Sequence, residues 1–162
     1  MTTSSSKKHM FIGKLKMAFI GKPVEILLVE DNEGDVGLIE EVLEEIQIRN
    51  NLHIAEDGEV AVQYLYGEGK FAGSPRPDIV LLDLNLPKKD GREVLKVIKE
   101  DISLKSIPVV VLTTSQSEND ILGAYDFHAN AYVNKPLDFD QFIDVVKSIA
   151  NFWLGIVNLP TR

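Results

Sequence analysis

The sequence predicts an α/β fold, a five-stranded parallel sheet doubly wound by helices. Short apolar runs alternate strictly with amphipathic stretches of helical period, the order that a parallel sheet with right-handed crossovers requires. The first of these runs, VEILLVE, is nearly continuous rather than alternating, as a strand covered on both faces is. The connections between them are mostly short. A chain of 162 residues with 44% hydrophobic content is long enough for one full core.

The elements follow in order from Pro23. VEILLVE (24–30) is a buried first strand. GDVGLIEEVLEEIQI (34–48) sets Val36, Ile39, Val42, Leu43 and Ile46 on one helical stripe. LHIAE (52–56) is the second strand, and GEVAVQYLYG (58–67) a helix closed by Gly67, followed by the Gly/Pro-rich loop GEGKFAGSPRP. DIVLLDL (78–84) is the third strand, and REVLKVIKED (92–101) a helix with Val94, Leu95 and Ile98 inward. IPVVVLTTS (107–115) is the fourth strand. SENDILGAYDF (117–127) opens on Ser117 as N-cap, with Asp120 three residues on as a capping-box variant. AYVNKP (131–136) is the fifth strand, stopped by Pro136, and the last helix runs from about Asp138 to Trp153. The domain is therefore expected over 23–154, with a tail at 155–162.

Residues 1–22 hold five lysines and no acid, which leaves 12 basic and 25 acidic residues in the remainder. This segment is expected to be a flexible basic extension; its mixture of lysines with Phe11, Ile12, Leu15 and Phe19 also suits a membrane surface or a partner. The net charge of −8 and pI near 4.9 argue against nucleic acid, whose phosphates demand a basic face. The chain has no cysteine, which excludes disulfides, thiol catalysis and cysteine-based zinc sites, and its three histidines are scattered. No apolar run reaches the length of a membrane span, so a cytoplasmic setting is expected.

Ligands of an open α/β sheet bind beyond the carboxyl ends of the strands. Those ends here are Glu30 and Asp31, then Asp83, then Thr113 to Ser115, then Asn134 to Pro136. Crowded carboxylates call for a cation, and hard oxygen donors without Cys or His suit Mg²⁺, with Mn²⁺ or Ca²⁺ able to substitute. Beside such a cation Asp83 can act as a nucleophile towards phosphorus. Lys135 can neutralise the incoming phosphoryl group and Thr113 can donate to one of its oxygens. Pro87 and Gly91 shape a loop from which the Asn85 carbonyl can reach the metal.

LLVEDN, DIVLLDLNLPKKDG, VVVLTTS and AYVNKP together resemble the receiver domain of two-component response regulators, over about Val24 to Trp153. The resemblance implies the flavodoxin-like strand order 2-1-3-4-5 and a phosphoryl group accepted on Asp83 from a sensor histidine kinase. It implies direct Mg²⁺ binding by Asp31, Asp83 and the Asn85 carbonyl, with Glu30 acting through water. Thr113 and Lys135 fall on the family's switch hydroxyl and phosphate-binding lysine, and Tyr132 on its rotamer-changing aromatic. Asn85 and Ser115 occupy positions that tune phosphoryl lifetime. VEDNEGDVGLIEEVL and the late FWL further resemble stand-alone regulators that partner cyanobacterial and bacterial phytochromes. One departure is His128, which replaces the usual Gly after the fourth helix, with Asn130 nearby as a residue that tolerates left-handed geometry.

Two other chemistries are weighed against the switch. A phosphatase of the haloacid dehalogenase type also uses a strand-end Asp with Mg²⁺, but it needs a second acid where Asn85 stands. A flavin binder needs a Ser/Thr/Gly-rich phosphate cradle after the first strand, where Glu30 and Asp31 would repel the phosphate. The expected protein is thus no enzyme beyond self-phosphorylation from small donors and self-dephosphorylation. With nine residues after Trp153 it is expected to act by contact. The last helix carries more apolar residues than one stripe holds. A homodimer or partner face is expected there, through Phe142, Val146, Phe152 and Trp153, on the fourth helix, fifth strand and fifth helix or on the fifth helix and tail.

Overall fold

Three apolar runs, VEILLV, IVLL and VVVLT, form the buried centre of the sheet, and the more polar NNLHIA and AYVN form its half-buried edges. The computed structural model describes residues 21–160, so the expected basic extension lies, apart from Gly21 and Lys22, outside the described residues. The strands are β1 (Val24–Val29), β2 (Asn50–Ala55), β3 (Ile79–Leu82), β4 (Val109–Thr113) and β5 (Ala131–Asn134). The helices are α1 (Glu33–Glu45), α2 (Gly58–Tyr66), α3 (Gly91–Glu100), α4 (Glu118–Asp126) and α5 (Phe139–Gly155), with a 3₁₀ turn at Gly69–Phe71. All pairings are parallel, as the alternation of elements predicts, and the order is β2-β1-β3-β4-β5, as the resemblance implies.

Successive strand residues point to opposite faces, and the sheet divides two separate cores. On one face Leu27, Val29, Val80, Leu82, Val109 and Val111 meet Ala61, Val94, Leu95, Ile98 and Ala124 from α2, α3 and α4. On the other face Ile26, Leu28, Ile79, Leu81 and Val110 meet Ile39, Val42 and Leu43 of α1 and Phe142, Val146 and Ile149 of α5. This corrects one expectation: Phe142 and Val146 are 4% and 2% exposed and cover the sheet, so they are core and belong to no partner face. Phe152 lies ten residues beyond Phe142, about 80° away round a 3.6-residue helix, and it is half exposed. Trp153 is half-buried beside it, their rings 5.6 Å apart edge to face.

The caps hold where the sequence places them, with one exchange of roles. Ser117 caps α4 by accepting from the Asp120 N–H, but the Asp120 carboxylate is engaged elsewhere and closes no box. The reciprocal capping box belongs to Asp90 and Glu93 at the start of α3. His128 itself takes the left-handed conformation after α4, at φ 65°. Asn130, expected to tolerate that geometry, instead uses its side-chain oxygen to accept from the Val109 N–H and from Lys99 Nζ.

Candidate functional site

The strands end where the apolar run ends, so their polar successors emerge together at one edge of the sheet. Asp83 follows β3 and is 7% exposed; Thr113, the last residue of β4, is fully buried; Lys135 follows β5 and is 7% exposed. Thr113 Oγ1 donates to Asp83 Oδ1 at 2.9 Å, and Lys135 Nζ donates to Asp83 Oδ2 at 3.0 Å. The Asn85 N–H also donates to Asp83 Oδ1, at 3.1 Å. Both carboxylate oxygens of Asp83 are thereby oriented.

Lys135 serves more than one acid. It pairs with the buried Glu30 and, at 2.9 Å, with Asp35 Oδ2 in the first turn of α1. Asp35 is a site residue the sequence analysis missed, because an acid in a first helical turn has a sufficient reason to be there already. Asp31 makes no ion pair among the described residues and is exposed. Ligand oxygens of Glu30, Asp31 and Asp83 all lie within 4.8 Å of one another. Three acids thus share one lysine, and a fourth, Asp31, stands beside two of them without a cation of its own among the described residues.

The protonation equilibria reflect burial first and the crowding of charge second. Burial, opposed by the Lys135 hydrogen bond and reinforced by the charge of Asp83, lifts the Glu30 carboxyl to about 7. Burial works against the charge on Lys135, but Glu30, Asp35 and Asp83 outweigh it and hold its ammonium well above the ordinary lysine range. Three hard carboxylates with oxygens within 4.8 Å of one another, and residual negative charge after Lys135 is counted, fit a divalent cation of the Mg²⁺ class.

The loop between β3 and α3 carries Asn85 and Pro87 and is held closely. Gly91 is required there, since a Cβ on it would sit 2.1 Å from the Asp83 carbonyl oxygen. Gly58 is required for the same kind of reason, with the Lys89 carbonyl oxygen 1.9 Å from where its Cβ would be. Lys88 adopts φ 63° and pairs with the buried Asp57 at 3.4 Å.

Beyond Thr113 a second polar chain leaves the site. Ser115 N–H reaches Thr113 Oγ1 at 3.5 Å, and the Tyr132 hydroxyl donates to the Ser115 carbonyl at 2.8 Å. Ser115 Oγ donates to Asp120 Oδ2 at 2.5 Å, and Asp120 is gripped by Arg92 of α3. Arg92 was missed from the sequence, where it reads as one more charge on a solvated helix face.

Residues 26–147 match the profile of the response regulator receiver domain. Among curated proteins the chain is similar to the response regulator Rcp1 of Synechocystis sp., 49% identical over 138 residues that cover 85% of this chain and 94% of the relative. It is also similar to the probable methanogenesis regulatory protein FilR2 of Methanothrix harundinacea, 46% identical over 82% of this chain and 85% of the relative. Among solved structures, the Mn²⁺-bound form of Rcp1 and the phosphorylated cyanobacterial phytochrome response regulator RcpA each superpose with a TM-score of 0.84 at 48% identity. Each covers 86% of this chain and 100% of the other.

Proposed function

The chain belongs to the response regulator receiver domain family, and from that premise we propose that it accepts a phosphoryl group on Asp83 from a histidine kinase and signals through contact with other proteins. The observation that carries the reading is the setting of Asp83. Its two carboxylate oxygens are held by Thr113 and by Lys135, while Glu30 and Asp31 bring further oxygens within 4.8 Å. Asp31, Asp83 and the Asn85 carbonyl would hold Mg²⁺, with Glu30 nearby, and the Mn²⁺-bound form of Rcp1 supports a divalent ion in this family. When bound, the ion supplies positive charge to the phosphoryl oxygens.

The remaining work falls to the chain. A carboxylate oxygen of Asp83 attacks phosphorus, the phosphorus–nitrogen bond of the donor histidine breaks, and the electron pair returns to the imidazole. Lys135 neutralises part of the charge brought in. The Thr113 hydroxyl, freed from Asp83 Oδ1, turns its proton to a phosphoryl oxygen. That movement draws on Ser115 and so on the Tyr132 hydroxyl, which marks Tyr132 as the aromatic switch. Ser115 and Asn85 then bear on how long the acyl phosphate lasts.

The likeness to RcpA favours a phytochrome as the kinase and a cytoplasmic setting; no helix among the described residues is long and apolar enough to cross a membrane. A homodimer is proposed through the groove of about 520 Å³ between β5 and α5, lined by Ala131, Val133, Val145, Ile149, Phe152 and Trp153. Self-phosphorylation from small donors gives the direct test. Intact-mass spectrometry after incubation with acetyl phosphate and Mg²⁺ should show the gain of one phosphoryl group. Asp83→Asn and a chelator should each abolish it; uptake that survives Asp83→Asn would move the site elsewhere.

A further inference from the structure

We infer that Arg92 is a positioning residue for phosphoryl loss: by clamping Asp120 it keeps the Ser115 hydroxyl off the acyl phosphate and prolongs the signal. The inference rests on the reading of Asp83 as phosphoacceptor. Arg92 stands in the first turn of α3 and reaches across to the first turn of α4. Its Nε donates to Asp120 Oδ1 at 2.9 Å and its Nη2 lies 2.7 Å from Asp120 Oδ2, a two-point grip that only a planar guanidinium makes. Its Nη1 donates to both oxygens of Asp90, each at 3.0 Å, so the guanidinium is anchored to its own helix cap. Asp120 thus has little freedom, and its Oδ2 accepts the hydrogen bond that Ser115 Oγ donates at 2.5 Å. Ser115 in turn is one N–H contact from Thr113, whose hydroxyl touches Asp83.

Asp90, Arg92 and Asp120 thus set where the Ser115 hydroxyl proton points, the Ser117 N–H donates to the same Oγ at 3.4 Å, and none of these residues is hydrogen-bonded to Asp83. Without Arg92, Asp120 can turn to water and Ser115 Oγ can accept a hydrogen bond from a water beside the acyl phosphate. In hydrolysis that water's oxygen adds to phosphorus, the bond to the Asp83 carboxylate oxygen breaks and returns its electron pair to the carboxylate. Both of the water's hydrogens leave with inorganic phosphate. A water held in line is lost to bulk less often, so release of Ser115 speeds the step.

The experiment follows the decay of the phosphorylated mass after acetyl phosphate is removed from the Mg²⁺-loaded full chain. Wild type is compared with Arg92→Gln, Asp120→Asn, Ser115→Ala and the double variant Arg92→Gln with Ser115→Ala. Arg92→Gln and Asp120→Asn should each shorten the lifetime by roughly fivefold, the weight of one hydrogen bond. In the Ser115→Ala background the Arg92 change should have no effect, since contributions that pass through one atom do not add. An unchanged decay in Arg92→Gln overturns the inference, as does a change that persists without Ser115. Wild type that gains no phosphoryl group would remove the assignment of Asp83 and this inference with it, an outcome distinct from normal loading with unaltered decay.

Discussion

The two ends of the sheet solve the same problem with different materials. At the ends where the strands begin, Glu25 accepts from His53 Nε2 at 2.6 Å and from Asn51 Nδ2 at 2.9 Å, and its own N–H donates to Asp78. Lys99 Nζ donates to the carbonyls of Lys105 and Ile107 and to the Asn130 amide oxygen. These charges are answered by dipoles or by a single counterpart. At the other end Glu30, Asp35 and Asp83 share Lys135, and Asp31 adds a further carboxylate beside Glu30 and Asp83. Hydrogen bonding does not distinguish the ends, because no buried side-chain donor or acceptor among the described residues lacks a partner. Uncompensated charge does. The candidate site lies where the chain keeps like charges together, although neutral partners would serve stability equally well.

The contrast can be broken most directly at Lys135. With its side chain 5% exposed, Lys135→Met would leave buried Glu30 and Asp83 without a cation. The metal-free chain should lose about 3 kcal/mol in urea unfolding, the usual effect of removing one partner from a buried pair. A loss below half of that would mean that the acids are screened by other means.

Mg²⁺ should act on this end alone. At a hundred times its dissociation constant it should stabilise the fold by about 2.7 kcal/mol. The effect should also reshape the pH dependence. The Glu30 carboxyl titrates near 7 when folded and near 4.5 when unfolded. Between those values the folded metal-free chain holds a proton that the unfolded chain has released, so its stability falls as pH rises from about 4.5 to about 7. Unfolding midpoints at pH 5 and pH 8 should show this slope without Mg²⁺ and a flatter or reversed one with it. The same slope in both conditions would place the titration elsewhere.

The smallest effect belongs to the opposite end. Lys99→Met should cost about 1 kcal/mol, since the oxygens it leaves are neutral and water can reach them. It should leave Mg²⁺ binding, measured by calorimetry, unchanged; a shift there would mean that the two ends are coupled through the sheet.

Much of this was legible beforehand because strands announce themselves by composition. A run such as IVLL can only be buried, so Asp83 just after it must stand at the strand end; Thr113 closes the equally apolar VVVLT, while Lys135 was placed by the Pro136 that stops its strand and by the resemblance. What was not legible depends on rotation about an axis or on side chains meeting far along the chain. Asp35 meets Lys135 across a separation of 100 residues, and Arg92 meets Asp120 across 28. Neither separation carries a periodic signal. Phe142, Val146, Phe152 and Trp153 look alike in a helix pattern, and only the phase at which α5 settles on β1 and β3 sorts core from rim. His128 departs from its backbone preference because the turn after α4 needs a left-handed residue at that one place, where Ala129 N–H returns to the Ala124 carbonyl.

The strand order has a consequence for the order of events during synthesis. β1 is made first among the strands, yet it lies inside the sheet, between β2 and β3. When α2 has left the ribosome, β1 has one neighbour, and the edge that will receive Ile79–Leu82 is still open. Leu27 and Val29, fully buried at the end, stay partly uncovered until residues 79–82 arrive and α3 closes over them. The nascent chain therefore carries an apolar strand with a free edge through the translation of the Gly/Pro-rich loop, the interval in which a chaperone or another unfinished copy has its best access.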